Sequence, residues 1–126
     1  FNIPHGVVCG TLMAPANEVN VRELRRLSKS GAVTGRYSAA IASAALEKYA
    51  ILGRIFADAT GKNDSYYIDF LTDSLSALSY RLGMPKLSRY GLEHDDLAAI
   101  CSQSDVKNNP VSLSEEQMLE ILMNRI

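Results

Sequence analysis

An all-α helical bundle is the fold class this sequence predicts, and three observations predict it. Apolar residues recur at steps of three and four over most of the chain. Residues that start and stop helices bracket those stretches, and no alternating run of useful strand length occurs. Six or so helices with short connections imply helix packed on helix. At 126 residues, one helical domain over 1–126 is expected, because domains run to roughly 100–200 residues.

The elements follow in order. Pro4 suits a first helical position, where its missing N–H is no loss. Val7, Val8, Leu12 and Met13 then supply apolar contacts, and Pro15 is expected to kink or interrupt this helix. A second piece, Val19–Leu27, carries Val21, Leu24 and Leu27 on one side and Arg22, Arg25 and Arg26 on the other. Ser28–Gly35, with Gly31 and Gly35, reads as a loop. A third stripe, Ile41, Ala45, Tyr49, Leu52, Phe56 and Ala59, stops at Gly61, and its Ala-rich start suits close helix packing. Tyr67, Leu71, Leu75, Leu78 and Leu82 form a fourth stripe. Asp64 or Ser65 can cap its start, and Gly83 with Met84-Pro85 ends it. Glu93–Cys101 reads as a short helix with Leu97, Ile100 and Cys101 inward, its acidic first turn favoured by the helix dipole. Ser102–Pro110 is polar and irregular. Ser114-Glu115-Glu116-Gln117 is a capping-box signature for a last helix with Met118, Ile121 and Leu122 inward.

Composition excludes several function classes. The 13 Lys+Arg and 14 Asp+Glu leave a net charge of −1, which argues against a nucleic-acid binder held by phosphate contacts. The longest apolar stretch, Tyr37–Ala59, carries Glu47, Lys48, Arg54 and Asp58, so no membrane span is expected. Phe1–Gly10 lacks a basic start and a long apolar run, so no signal peptide is expected. Cys9 and Cys101 form no CxxC pair, and a disulfide scaffold would be denser in Cys. Reduced thiols and a cytoplasmic location are the reading. Basic side chains concentrate in residues 17–36 (Arg22, Arg25, Arg26, Lys29 and Arg36 against Glu18 and Glu23), a possible contact face or a solvated helix.

Few residues are arranged for chemistry. His5 and Cys9 stand four apart, which puts both on one helix face. An imidazole and a thiolate both suit zinc or iron, but two ligands do not complete a site. His94 sits among Glu93, Asp95 and Asp96 in one exposed turn, where helix-end electrostatics explains it. Asp69 and Asp73 are spaced i, i+4 on the face away from the leucines and are expected to point to water. Cys101, next to Ile100, reads as core. Gly31–Gly35 is not a GxGxxG turn, and no P-loop or GxSxG element occurs.

Several short segments carry a resemblance. Phe1-Asn2-Ile3-Pro4-His5-Gly6, followed by Leu12-Met13-Ala14-Pro15, resembles the PHG turn and following helix of the iron-containing alcohol dehydrogenases. Leu46-Glu47-Lys48-Tyr49-Ala50 is similar to that family's KYA helix. Leu82-Gly83-Met84-Pro85-Lys86-Leu87 is similar to its LGIPxxL turn, and Gly91-Leu92 with Asp96-Leu97 to its GVxxxDL helix start. Asn109-Pro110 with Leu113-Ser114 is similar to its NPRxLT run. Five pieces in the correct order match the helical C-terminal half of that two-domain fold.

The resemblance implies that His5 is a metal ligand and that the other ligands lie upstream. It assigns no catalytic or cofactor-binding residue within the chain. It implies Fe2+, or Zn2+ or another divalent metal, together with NAD(P) in an intact enzyme acting on a small alcohol or aldehyde. It also implies an upstream nucleotide-binding domain as partner, a homo-oligomer, and an isolated chain without activity. Where the family often has Asn-Ala, this chain has Cys9-Gly10. The loop Asp105–Pro110 corresponds to the region bordering the family's pocket. Two alternatives stand beside this reading. One is a non-catalytic interaction module using Arg22, Arg25 and Arg26. The other is a domain of glycerol dehydrogenase or dehydroquinate synthase type. With the cleft face bare, Val8 and Leu12 are expected to form an adhesive patch.

Overall fold

Five α-helices and two short 3-10 turns make up the computed structural model, which describes residues 1–126 and contains no strand. The all-α expectation therefore holds. Helix α1 (His5–Ser28) runs unbroken for 24 residues, about 36 Å at 1.5 Å per residue. Helices α2 (Ala39–Phe56) and α3 (Asp64–Arg81) pack on each other and on α1. After the 3-10 turns Leu87–Tyr90 and His94–Asp96, helices α4 (Leu97–Ser102) and α5 (Glu115–Met123) pack together, and α5 also meets α1.

Small cores line α1. Val21, Ala50, Tyr67 and Ile68 join α1, α2 and α3, while Leu24, Ala42 and Val111 join α1 and α2 to the segment before α5. Leu87, Leu92 and Leu97 form the third, with Ile3, Leu12, Leu119 and Leu122 packed on it. Helix α1 is thus a shared spine: its start serves the α4–α5 side, and its end serves α2 and α3.

The expected break at Pro15 does not occur. Pro15 and its neighbours Thr11 and Ala14 are buried within α1. A proline in a helix interior costs about 3 kcal/mol relative to alanine. Tertiary contacts grip the helix here: Thr11 Oγ1 donates to the Pro85 carbonyl at 2.8 Å and accepts from Arg125 Nε at 2.8 Å. Arg125 also donates to the Met84 carbonyl at 2.7 Å. Packing that engages α1 on both sides of Pro15 outweighs the local penalty.

Helix α2 packs only part of the expected stripe, Ala45 and Tyr49, against the core. Ala42, Ala50 and Gly53 are buried, with Leu46 and Tyr49 half-buried beside them. Ile41, Leu52 and Phe56 of the expected stripe point outward, as do Ile51 and Ile55. The small residues win because α3 comes very close. A Cβ on Gly53 would lie 1.9 Å from the Tyr67 carbonyl oxygen, so only glycine fits that crossing. On α3, Tyr67 and Leu71 are buried as the start of the stripe predicts and Ile68 is buried beside them, whereas Leu78 and Leu82 are exposed.

The caps largely agree with the sequence. Ser114 and Gln117 exchange the two hydrogen bonds of the capping box, Ser114 Oγ accepting from the Gln117 amide and Gln117 Oε1 from the Ser114 amide. Ile121 is buried and Met118 and Leu122 are half-buried. Gly83 ends α3 in the left-handed region at φ 59°. The N-cap of α3 is Asn63, one residue before the expected Asp64, and its side chain accepts from the Tyr66 amide at 2.9 Å. Leu97 and Cys101 are buried on α4 as expected, preceded by the 3-10 turn His94–Asp96.

Candidate functional site

The start of α1 places His5 and Cys9. Pro4 stands at the N-cap with φ −57°, and its carbonyl accepts from the Val7 and Val8 amides at 2.9 and 3.2 Å. Proline's fixed φ suits that position, so the chain enters the helix directly at His5. His5 Nε2 then lies 3.4 Å from Cys9 Sγ, one turn along, and both residues are exposed. With the ring proton on Nδ1, the thiol donates to Nε2. The i, i+4 juxtaposition read from the sequence is therefore present. No group of three or more His, Cys, Asp and Glu is placed to hold a metal. The chain offers two donors of the type zinc or iron accepts, short of the three protein ligands typical of a catalytic zinc site.

The other candidates stay apart. His94 lies in its exposed 3-10 turn, where Glu93 and Asp96 are used in a capping box. Asp69 pairs with Arg25 at 2.8 Å on the surface, and Asp73 is exposed. Cys101 is buried, and burial pushes its thiol above the ordinary range. The three arginines are each engaged within the chain. Arg22 grips Glu120 through two bonds of 2.7 Å, Arg26 holds Glu23 at 2.7 Å, and Arg25 takes Asp69. Arg26, with Arg22 contributing, holds the buried Glu23 carboxyl below its usual value.

A cavity of about 740 Å³ opens between the start of α1, the Leu87–Leu92 turn, α4 and α5. That volume falls within the ~300–1,000 Å³ of small-molecule sites. Ile3, Val8, Leu12, Leu92, Ile100 and Met118 make its apolar wall, and Ser104–Asn109 forms its polar margin. Val8 and Leu12 are half-buried and line this open groove. His5 and Cys9 do not line the cavity.

The loop at the margin is held by an amide pair. Asn20 Nδ2 donates to Asn109 Oδ1 at 2.9 Å, and Asn109 Nδ2 donates to Asn20 Oδ1 at 2.6 Å and to the Val111 carbonyl at 2.8 Å. Sequence reading missed this pair. Its one local signal is a polar residue, Asn20, four after Ala16 and four before Leu24 on an apolar face. A second, more polar cavity of about 470 Å³ lies beside Thr11, Ser76, Ser79 and Arg125, and the buried Ser79 Oγ there has no hydrogen-bond partner. No protein-family model, curated protein or solved structure matches this chain.

Proposed function

We propose that the chain is the helical, metal-side domain of a metal- and NAD(P)-dependent alcohol dehydrogenase, with His5 as one metal ligand. The observation that carries this reading is the exposed His5 on the first turn of α1, directly after Pro4, with Cys9 Sγ at 3.4 Å. The turn resembles the PHG element of the iron-containing alcohol dehydrogenases, and the loop Asp105–Pro110, which resembles the border of their pocket, overlaps the polar margin of the cavity. The remaining ligands and the nucleotide-binding half come from an upstream domain, so the isolated chain has no turnover.

In this reading a bound divalent metal supplies Lewis acidity at an alcohol or carbonyl oxygen, and NAD(P) supplies or accepts the hydride. The chain's own residues hold and orient. Pro4 sets the backbone before His5, and the Pro4 carbonyl closes the first turn by accepting from the Val7 and Val8 amides. Val8 and Leu12, about one and two turns further on, line the apolar groove that neither His5 nor Cys9 reaches.

The test has two parts. The coding sequence upstream of Phe1 is read for a glycine-rich nucleotide domain and further metal ligands. The extended protein is then assayed for NAD(P)-dependent alcohol oxidation with and without His5→Ala, alongside metal content. Loss of metal and activity with unchanged far-UV circular dichroism is expected. An upstream region without such a domain, or a His5→Ala protein with full metal content, refutes the reading. Iron against zinc in the same metal analysis separates the alcohol dehydrogenase reading from the glycerol dehydrogenase or dehydroquinate synthase alternative.

A further inference from the structure

Helix α2 carries two apolar faces and uses one. The inner face packs through Ala42, Ala50 and Gly53. The outer face shows Ile41, Ile51, Leu52, Ile55 and Phe56, each between 47% and 73% exposed. Along that outer face Ile41, Ala44, Lys48, Ile51 and Ile55 are spaced three, four, three and four, the a/d seam of a coiled coil. Such a seam fits another helix.

The surface area says how much is missing. The chain exposes 7856 Å² at 13.8 kDa, whereas a compact monomer of this mass exposes about 6,600 Å². The excess is roughly 1,200 Å², and a standard interface removes about 800 Å² per partner. One standard contact would cover about two-thirds of that excess.

We propose that the outer face of α2 pairs with the same face of a second copy, antiparallel about a two-fold axis near residues 49 and 50. The charges choose the direction. A parallel pair would set Lys48 against Lys48 of the other copy at the same seam position, and like charges opposed are destabilising. An antiparallel pair sets Lys48 beside Ile51, where its stem packs and its ammonium reaches solvent. The exposed Glu47 and Arg54 lie on one flank of the seam, Arg54 being held there by Asp64 of its own chain. A two-fold interface needs such a self-complementary patch. The inference is independent of the proposed activity.

Sedimentation of the intact chain over a wide concentration range tests the proposal. The expected result is a monomer–dimer equilibrium. Ile55→Asp, at the most exposed of the seam isoleucines, is expected to raise the dissociation constant at least tenfold with an unchanged circular dichroism spectrum. Tyr80→Asp, on the exposed surface of α3, is expected to leave it unchanged. Direction is read by cross-linking in a Cys9→Ser background. Mixing Lys48→Cys and Ile51→Cys chains is expected to give the mixed disulfide in preference to either matched one. A chain that stays monomeric throughout overturns the proposal and leaves the face to a different partner. Association that survives Ile55→Asp but falls with Tyr80→Asp overturns the surface, and a dominant 48–48 disulfide overturns the antiparallel arrangement.

Discussion

Replacing Gly53 with alanine adds one methyl group to the middle of α2. In an isolated helix that change is favourable by about 0.8–1.0 kcal/mol. Here the new Cβ would lie 1.9 Å from the Tyr67 carbonyl oxygen, 2.6 Å from its carbonyl carbon and 3.0 Å from its Cβ. The obstacle is mainly backbone, so no rotamer change relieves it. Reaching the 3.4 Å of an ordinary contact from 1.9 Å requires α2 and α3 to separate by about 1.5 Å at that point. Gaps of 0.5–1 Å already forfeit roughly a quarter to a half of a contact's attraction, and the core around Val21, Ala50, Tyr67 and Ile68 spans this crossing. Overpacking costs about 1–3 kcal/mol, and the loosened core adds to it, so a net loss of about 2–3 kcal/mol is expected after the propensity gain. For a chain of this size the Tm should fall by ~10 °C.

Two control substitutions share the chemistry and differ only in surroundings. Gly10→Ala meets the tip of Met84, with Cε at 2.5 Å, a side chain that can move aside. Gly6→Ala meets nothing within 4 Å. Thermal and urea unfolding of the three variants should rank them Gly6→Ala at or slightly above wild type, Gly10→Ala near wild type, and Gly53→Ala far below. A Gly53→Ala variant as stable as Gly6→Ala would falsify the close helix crossing.

Three further outcomes are expected. Asn109→Ala strips the loop of its bonds to Asn20 and Val111 and leaves a part-buried amide unpaired. A loss of about 1–3 kcal/mol is expected, with a double-mutant cycle against Asn20→Ala showing coupling of roughly 0.5–3 kcal/mol; additive single effects would refute the pairing. Glu23 and Glu120 are held below their ordinary value of 4.5, first by hydrogen bonds from Arg26 and Arg22. Their contribution is present above that value and is lost as pH falls through the lower folded-state values. The Tm should therefore be flat from neutral pH down to about pH 5 and fall in more acid buffer, with Glu23→Gln flattening the acid limb. An acid limb unchanged in Glu23→Gln refutes that assignment. Cys9 is exposed and Cys101 buried, so a thiol reagent should label Cys9 in the native protein and reach Cys101 only in denaturant; rapid labelling of both would place Cys101 wrongly.

Features encoded by adjacent residues were legible in the sequence. The capping box at Ser114, the Gly83–Pro85 stop and the His5–Cys9 spacing are each settled within about one turn of chain. Helix α2 misled because apolar patterning weighs large side chains. Ile41, Leu52 and Phe56 draw the eye, while Ala42, Ala50 and Gly53 decide the packing through their smallness. Pro15 misled because its remedy lies elsewhere, at Pro85 and Arg125. The Asn20–Asn109 pair spans 89 residues, and nothing near Asn20 names its partner. The cavity has the same origin, since its walls come from α1, the Leu87–Leu92 turn and the last two helices.

The clamp around Thr11 sets an order of events during synthesis. Its members are Thr11, Met84, Pro85 and Arg125; the Leu87 amide also donates to the Arg125 carbonyl at 2.7 Å, and Lys86 Nζ to the Ile126 oxygen at 2.6 Å. Helices α1, α2 and α3 are complete by Arg81 and can dock as soon as that residue has emerged. The front of α1 must wait for residue 125 before its latch closes. Because chains emerge from the N-terminus and distant contacts form slowly, Leu12 lacks its neighbours Leu119 and Leu122 until α5 has been made.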